Sequence, residues 1–230
     1  MIVRLDYTAS PYLEINRISV IGSFNDYKED CGLMRKSGNV WSTEVSLPPG
    51  EHNYKFLINH EIKLNDPMAN LYLPNESDEL WSTIIINDLD QRLYNNEQYT
   101  VHIDSYAVSG MITPAPISAN KKGFHLSSDK MVVVRLGFTN LSGLHAVTAL
   151  WFDARGVLHD IAENMLCADE ESPDKPVFIW FWLPLNDTQR EYPEGVWTIK
   201  LFLDGSYVLE DQVTIMNAIT YSSTGQVYNA

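Results

Sequence analysis

Hydrophobic and polar residues alternate along this chain in short runs of period two, the pattern of half-buried strands. Val40 to Leu47 shows it most cleanly: Trp41, Thr43, Val45 and Leu47 share one face, and Ser42, Glu44 and Ser46 the other. Pro48-Pro49-Gly50 makes a turn. His52, Tyr54, Phe56 and Ile58 then line the next inward face, with Lys55 directed the opposite way. Before this pair, Ile18 to Phe24 reads as a strand that ends in an Asn25-Asp26 turn, and Ser82 to Asn87 reads as a strand after it. Ile2 to Tyr7 alternates as well and is expected to form an edge strand or an arm.

The second half repeats the class of pattern without repeating the sequence. Strands are expected at Tyr99–Val108 and Met131–Phe138, and a hairpin at Val147–Asp153 and Gly156–Ile161. Val177 to Leu183 (Val-Phe-Ile-Trp-Phe-Trp-Leu) is apolar on both faces. Such a run predicts a central strand covered on both sides, or a self-association surface. Val196–Leu203 and Tyr207–Ile215 flank Asp204-Gly205, the strongest hairpin signal in the chain. No stretch has the period of a long amphipathic helix. The pattern predicts an all-β protein of two Ig-like β-sandwich domains in tandem: residues 1–90, residues 97–217 and a short polar tail at 218–230. Asp88 to Gln98 contains neither Gly nor Pro. It therefore does not predict a floppy linker, and contact between the domains is expected.

Composition narrows the partners. The 230 residues carry a formal net charge of −14, which argues against nucleic acid and against an anionic membrane surface. No apolar run approaches the roughly 20 residues of a membrane span. With no signal-peptide core at the N-terminus, a cytoplasmic location is expected. Cys31 and Cys167 lie far apart and read as two free thiols. The acidic loop Asp169 to Asp174 lacks the alternating spacing and the Gly of a calcium loop. The six histidines show no metal-ligand spacing, and no nucleophile elbow or phosphate-cradling Gly loop is present. Neither a catalytic residue nor a cofactor is predicted.

One stretch says more. Gly22-Ser23-Phe24-Asn25, Asn39-Val40-Trp41, Leu47-Pro48-Pro49-Gly50-Glu51-His52 through Tyr54-Lys55-Phe56, and Asp66-Pro67 occur in this order over about a third of the chain. In order and spacing they resemble carbohydrate-binding module family 48, most of all the glycogen-binding domain of the AMP-activated protein kinase β-subunit. The resemblance implies an early-set Ig-like sandwich and α-1,4-glucan as the ligand, as polymer or oligosaccharide. The family's stacking aromatic falls on Tyr27, where Trp is usual, and its binding lysine on Lys55. A tyrosine ring can still cover the apolar C–H face of a glucose. The nearest match to the family's second stacking Trp is Ile62, an aliphatic side chain without a ring face. Where the family presents polar groups before the last strand, this chain reads Glu79-Leu80-Trp81-Ser82-Thr83. Ser82 is a candidate donor there, and Trp81 a candidate replacement platform. Trp41, which shares a face with Val45 and Leu47, is expected in the core.

The leading expectation is a non-catalytic α-glucan-binding protein with Tyr27, Lys55, Trp81 and Ser82 at its site, acting by tethering. The alternative is an interaction or oligomerisation module whose sugar site has degenerated. The Ile62 departure and the Val177–Leu183 run favour the alternative.

Overall fold

The computed structural model describes residues 1–95, 99–169 and 172–217. The proposed tail at 218–230, the Asn96–Gln98 end of the boundary segment, and Glu170 and Glu171 of the acidic loop lie outside the described residues.

The protein is all-β. Its first nine strands are β1 (Ile2–Thr8), β2 (Ile18–Gly22), β3 (Arg35–Ser37), β4 (Val40–Ser46), β5 (Gly50–Ile58), β6 (Ile62–Leu64), β7 (Tyr72–Pro74), β8 (Leu80–Ile86) and β9 (Arg92–Leu93). They form a three-stranded sheet in the order β1-β4-β3 and a larger one in the order β2-β5-β8-β7, with β6 on β5 and β9 on β8. The alternation in β1 gives a strictly alternating burial pattern, and the strand pairs with β4 from Ile2↔Ser46 to Thr8↔Val40, at the sheet edge as expected. Val3, Leu5, Tyr7, Trp41 and Val45 from the small sheet meet Val20, Tyr54, Phe56, Ile58 and Ile84 from the large one in a single core. Trp41 is in that core, and His52 beside it has Nε2 2.8 Å from the Pro48 carbonyl.

The remaining strands are β10 (Thr100–Ser109), β11 (Gly123–His125), β12 (Met131–Ser142), β13 (His145–Phe152), β14 (Leu158–Leu166), β15 (Val177–Pro184), β16 (Gly195–Leu203) and β17 (Ser206–Met216). They make a three-stranded sheet β10-β12-β15 and a five-stranded sheet β11-β17-β16-β13-β14. Both hairpins form as expected. In the second, Asp204 (φ 51°) and Gly205 (φ 83°) both take left-handed backbone, the conformation that a two-residue type I′ turn requires. The second core holds Val132, Val134, Leu136, Phe181, Ala149, Trp151, Trp197 and Leu201.

Short strands such as β3, β6, β7 and β9 left no readable alternation in the sequence, being two or three residues each.

The five-stranded sheet is apolar on both faces. Alternate residues of β13 and β16 go to opposite sides: Ala149, Trp151 and Leu201 enter the second core, and Leu150 and Phe202 enter the first. Phe152, Leu158, Ile161 and Tyr207 pack against the first core from the same side. Transfer of Leu150 and Phe202 alone is worth roughly 3–6 kcal/mol. Further contacts cross here. Tyr12 stacks on Tyr207 at 4.5 Å, Lys200 donates to the Tyr12 carbonyl, and Tyr99 meets Tyr72 edge-on at 5.7 Å. The strands of the first half are thus docked against this sheet.

Val177–Leu183 is placed differently from the central strand expected of it. β15 lies at the end of its sheet, with β12 as its ladder partner. Phe181 and Leu183 face the core, while Phe178 and Trp182 are exposed on the other side. The second apolar face arises from aromatics lying on the sheet surface: Arg135 stacks on Phe178 at 4.2 Å, over a position where only Gly137 leaves room. In the second half, β13 is covered on both faces, although its sequence His-Ala-Val-Thr-Ala-Leu-Trp-Phe is less uniformly apolar.

Candidate carbohydrate site

The site begins at the end of β2. A Cβ on Gly22 would lie 2.5 Å from the Asn53 carbonyl oxygen, so only glycine lets β2 run this close to β5. The chain then turns around Asn25. Its Oδ1 accepts from the Gly22 N–H at 3.0 Å, and its Nδ2 donates to the Val20 carbonyl at 2.9 Å. The Tyr27 N–H closes the turn onto the Gly22 carbonyl at 3.0 Å. Asp26 and Tyr27 both have positive φ, 52° and 58°. For tyrosine this is an uncommon conformation, held by the bonds around it. Its consequence is that the Tyr27 ring leaves the body of the protein and is 51% exposed.

Beneath it stands Trp81. The two rings meet edge to face, 5.4 Å between centroids and 79° between planes. The register Asn53↔Thr83 and Tyr54↔Ser82 sets what surrounds Trp81. Lys55, Asn53, Trp81 and Thr83 fall on one face of the large sheet, and Tyr54 and Ser82 on the other. Thr83 Oγ1 donates to Asn53 Oδ1 at 2.8 Å. Lys55 Nζ lies 5.3 Å from the Trp81 ring centroid, within cation–π reach.

Lys55 leaves its strand on the face opposite Tyr54 and Phe56, as expected, but that face is covered and not solvated. The residue is 0% exposed. Its ammonium donates to Glu79 Oε1 at 2.9 Å and to both oxygens of Glu163, at 2.9 and 3.0 Å. Glu163 comes from β14, 108 residues away, and nothing in the local sequence signals the pairing. The two carboxylates sit differently. Burial pushes the Glu163 carboxyl up, and the Lys55 charge only partly offsets this. In Glu79 burial is outweighed by the Lys55 ammonium, which holds its carboxyl below the usual range. Lys55 is therefore corrected from a free donor to a sealed cation.

Ser82 is corrected too. It is fully buried on the core side, where its hydroxyl accepts from the Asp66 N–H at 2.7 Å and donates to Asn65 Oδ1 at 3.1 Å. The same network explains Asn65-Asp66. Tyr54 donates its hydroxyl to Asp66 at 2.6 Å, Tyr72 donates to the Asp66 carbonyl, and Asn65 donates to the Leu80 carbonyl. Burial, with the nearby Asp66 charge, pushes the Tyr54 phenol well above its usual value. These residues lock β5, β7 and β8 together, and Ser82 spends its hydroxyl inside that network. Ile62, the aliphatic departure, is 3% exposed and belongs to the first core with Leu150 and Phe202. An aliphatic side chain suits that position, because the docked sheet lies over it.

Of the four residues expected at a sugar site, the structure thus brings together Tyr27, Trp81 and Lys55, presents Tyr27 to solvent, and turns Ser82 away; Trp81, 6% exposed, lies beneath Tyr27 and is not itself the open platform expected of it. Sequence reasoning missed Glu79 and Glu163.

The class defined so far is an all-β protein with an aromatic corner on the turn after β2. Residues 13–90 match the family described as the glycogen recognition site of AMP-activated protein kinase. No curated protein matches the chain. Solved structures similar to it include an immunoglobulin-like protein from Pseudomonas aeruginosa, at 15% identity over 52% of this chain and 98% of that one, TM-score 0.35. A maltogenic amylase from S. marinus shows 15% identity over 93% of this chain and 28% of that one, TM-score 0.31. The alkylpurine DNA glycosylase AlkC of Pseudomonas fluorescens, bound to DNA containing an abasic site analog, shows 12% identity over 52% of this chain and 31% of that one, TM-score 0.36. The chain thus spans less than a third of the amylase and glycosylase chains. At these TM-scores the likenesses decide nothing about function. Among the described residues, no helix is long and apolar enough to cross a membrane.

Proposed function

We propose that the chain is a cytoplasmic, non-catalytic α-glucan-binding protein that tethers itself to glycogen or starch through Tyr27, with Trp81 as the support of that ring. We also divide it into two units, 1–90 and 97–217, the first of which completes its core with Leu150 and Phe202 of the second. The observation that carries the reading is the exposed Tyr27 ring, set on the turn of the family-matched segment and propped by Trp81 at 5.4 Å. A ring face of this kind covers the apolar face of a glucose unit. A single platform gives a weak contact, and a polymer compensates by offering many equivalent sites. The test is retardation in native gels containing glycogen or amylopectin. The parent is expected to be retarded and Tyr27→Ala to run as in a plain gel. A parent that runs unretarded sinks the glucan reading, and a retarded Tyr27→Ala sinks the assignment of Tyr27.

A second reading has its own observation. Lys55 and Ile62 are buried beneath the second half, and Phe178 and Trp182 stand exposed on edge strand β15. On this reading the first unit is an interaction scaffold and Val177–Leu183 a self-association surface. It predicts a dimer in sedimentation velocity that Trp182→Glu converts to monomer. A monomeric parent rules it out.

A further inference from the structure

We infer that Glu163, from the second unit, is a positioning residue for the sugar platform of the first, so that glucan binding depends on a side chain outside the family-matched segment. The inference rests on the glucan reading. Three consecutive contacts, linking four residues, carry it. Glu163 grips the Lys55 ammonium with both oxygens, at 2.9 and 3.0 Å. Lys55 lies 5.3 Å from the centre of the Trp81 ring. Trp81 supports Tyr27 edge-on at 5.4 Å. Tyr27 alone of the four is open to solvent, at 51% exposure, whereas Lys55 and Trp81 are 0% and 6% exposed.

The direction of the dependence follows from the chemistry. A buried ammonium must have its protons accepted. Glu79 contributes one oxygen, from a side chain that is 33% exposed and whose other oxygen accepts a long 3.4 Å bond from Asn75. Glu163 contributes two, from a side chain only 16% exposed. Without Glu163, Lys55 follows Glu79 toward water and its charge leaves the Trp81 face. Trp81 then loses the contact that fixes its ring, and Tyr27 loses a fixed support. Tyr27 cannot compensate, because its own backbone is held by the Asn25 turn.

The experiment uses the full chain with Glu163→Ala, Glu163→Gln and, as a control, Tyr207→Ala. The control removes the Tyr12 stack between the units without touching the relay. Two quantities are read: the indole N–H resonance of Trp81, assigned by its loss in Trp81→Phe, and affinity for glycogen in native gels. Glu163→Ala is expected to shift the Trp81 resonance and to weaken binding about five-fold, the size of a lost cation–π contact of moderate burial. Glu163→Gln keeps one acceptor and falls between Ala and the parent. Tyr207→Ala leaves both readouts at parent values. An unmoved Trp81 resonance in Glu163→Ala overturns the relay, as does a Tyr207→Ala protein that moves as far. If the parent is retarded and both Glu163 variants are retarded equally, the role of Glu163 falls while the glucan reading stands. A parent that ignores glycogen removes the glucan reading itself. Should Glu163→Ala fail to fold, the near-isosteric Glu163→Gln carries both readouts.

Discussion

Lys55→Met removes the cation from between two carboxylates while keeping an unbranched apolar stem of similar length. The ammonium it deletes is wholly buried and hydrogen-bonded to Glu79 and Glu163. Glu79, a third exposed, can turn to water, so Glu163 is the carboxylate left stranded. Breaking a buried pair from one side costs about 3–5 kcal/mol, and one stranded carboxylate puts this case near 3 kcal/mol at pH 7. For a chain of this length that is a drop of about 6–12 °C in the unfolding midpoint. The loss depends on pH in a definite direction. Burial already holds the Glu163 carboxyl above its usual value with Lys55 present, and removing Lys55 raises it further. A group whose folded value is raised binds its proton more tightly in the folded state. The variant therefore regains stability as pH falls through that value, and the penalty is full only above it. The assay is urea unfolding followed by far-ultraviolet circular dichroism at pH 7 and pH 5. The expected result is a large deficit at pH 7 that shrinks at pH 5. Lys55→Met with Glu163→Leu should restore most of the loss, since an apolar pair can replace a buried ion pair. A deficit below about 1 kcal/mol at pH 7 refutes the reasoning, because it lies in the range of exposed pairs. A deficit that is the same at both pH values refutes the assignment to Glu163.

Three further outcomes are expected. Burial pulls the His145 imidazole down, but its 2.7 Å contact with Asp204, aided by the Ser142 carbonyl, outweighs burial and holds it above its usual value. The charged His145 therefore stabilises the fold fully below its unfolded value, and this contribution is lost as pH rises through the folded one; a thermal melt series from pH 6 to 9 should show the decline, and Asp204→Asn should flatten it. Gly205→Ala places a Cβ 1.8 Å from the Asn65 carbonyl oxygen, on a residue at φ 83°, and should cost about 2–4 kcal/mol in urea unfolding by forcing the β16–β17 hairpin away from the first unit. Asn25→Ala removes both side-chain bonds of the Tyr27 turn and should weaken glycogen retardation about as much as Tyr27→Ala, while costing about 1–2 kcal/mol of stability.

Much of the fold was legible in the sequence because strand alternation and turn chemistry are local properties. The faces of β4 and β5, the Asp204-Gly205 hairpin and the all-β class follow from which side chains a period of two places together. The Gly22-to-Tyr27 turn was legible for the same reason. Its glycine, asparagine and aromatic act within a few residues of one another.

Which faces are covered was decided only by the tertiary structure. Lys55 and Glu163 are 108 residues apart, and alternation shows that Lys55 points away from Phe56 without showing what waits there. The same limit misplaced Val177–Leu183, since an apolar second face reads alike on a buried strand and on an edge strand carrying exposed aromatics. It also left Ile62 unexplained until the five-stranded sheet was seen against it. By itself, the sequence determined the longer strands, the turn and the ring that the turn presents. The docking of one sheet onto another decided which polar groups stay wet, because burial of a face depends on partners that lie far away along the chain.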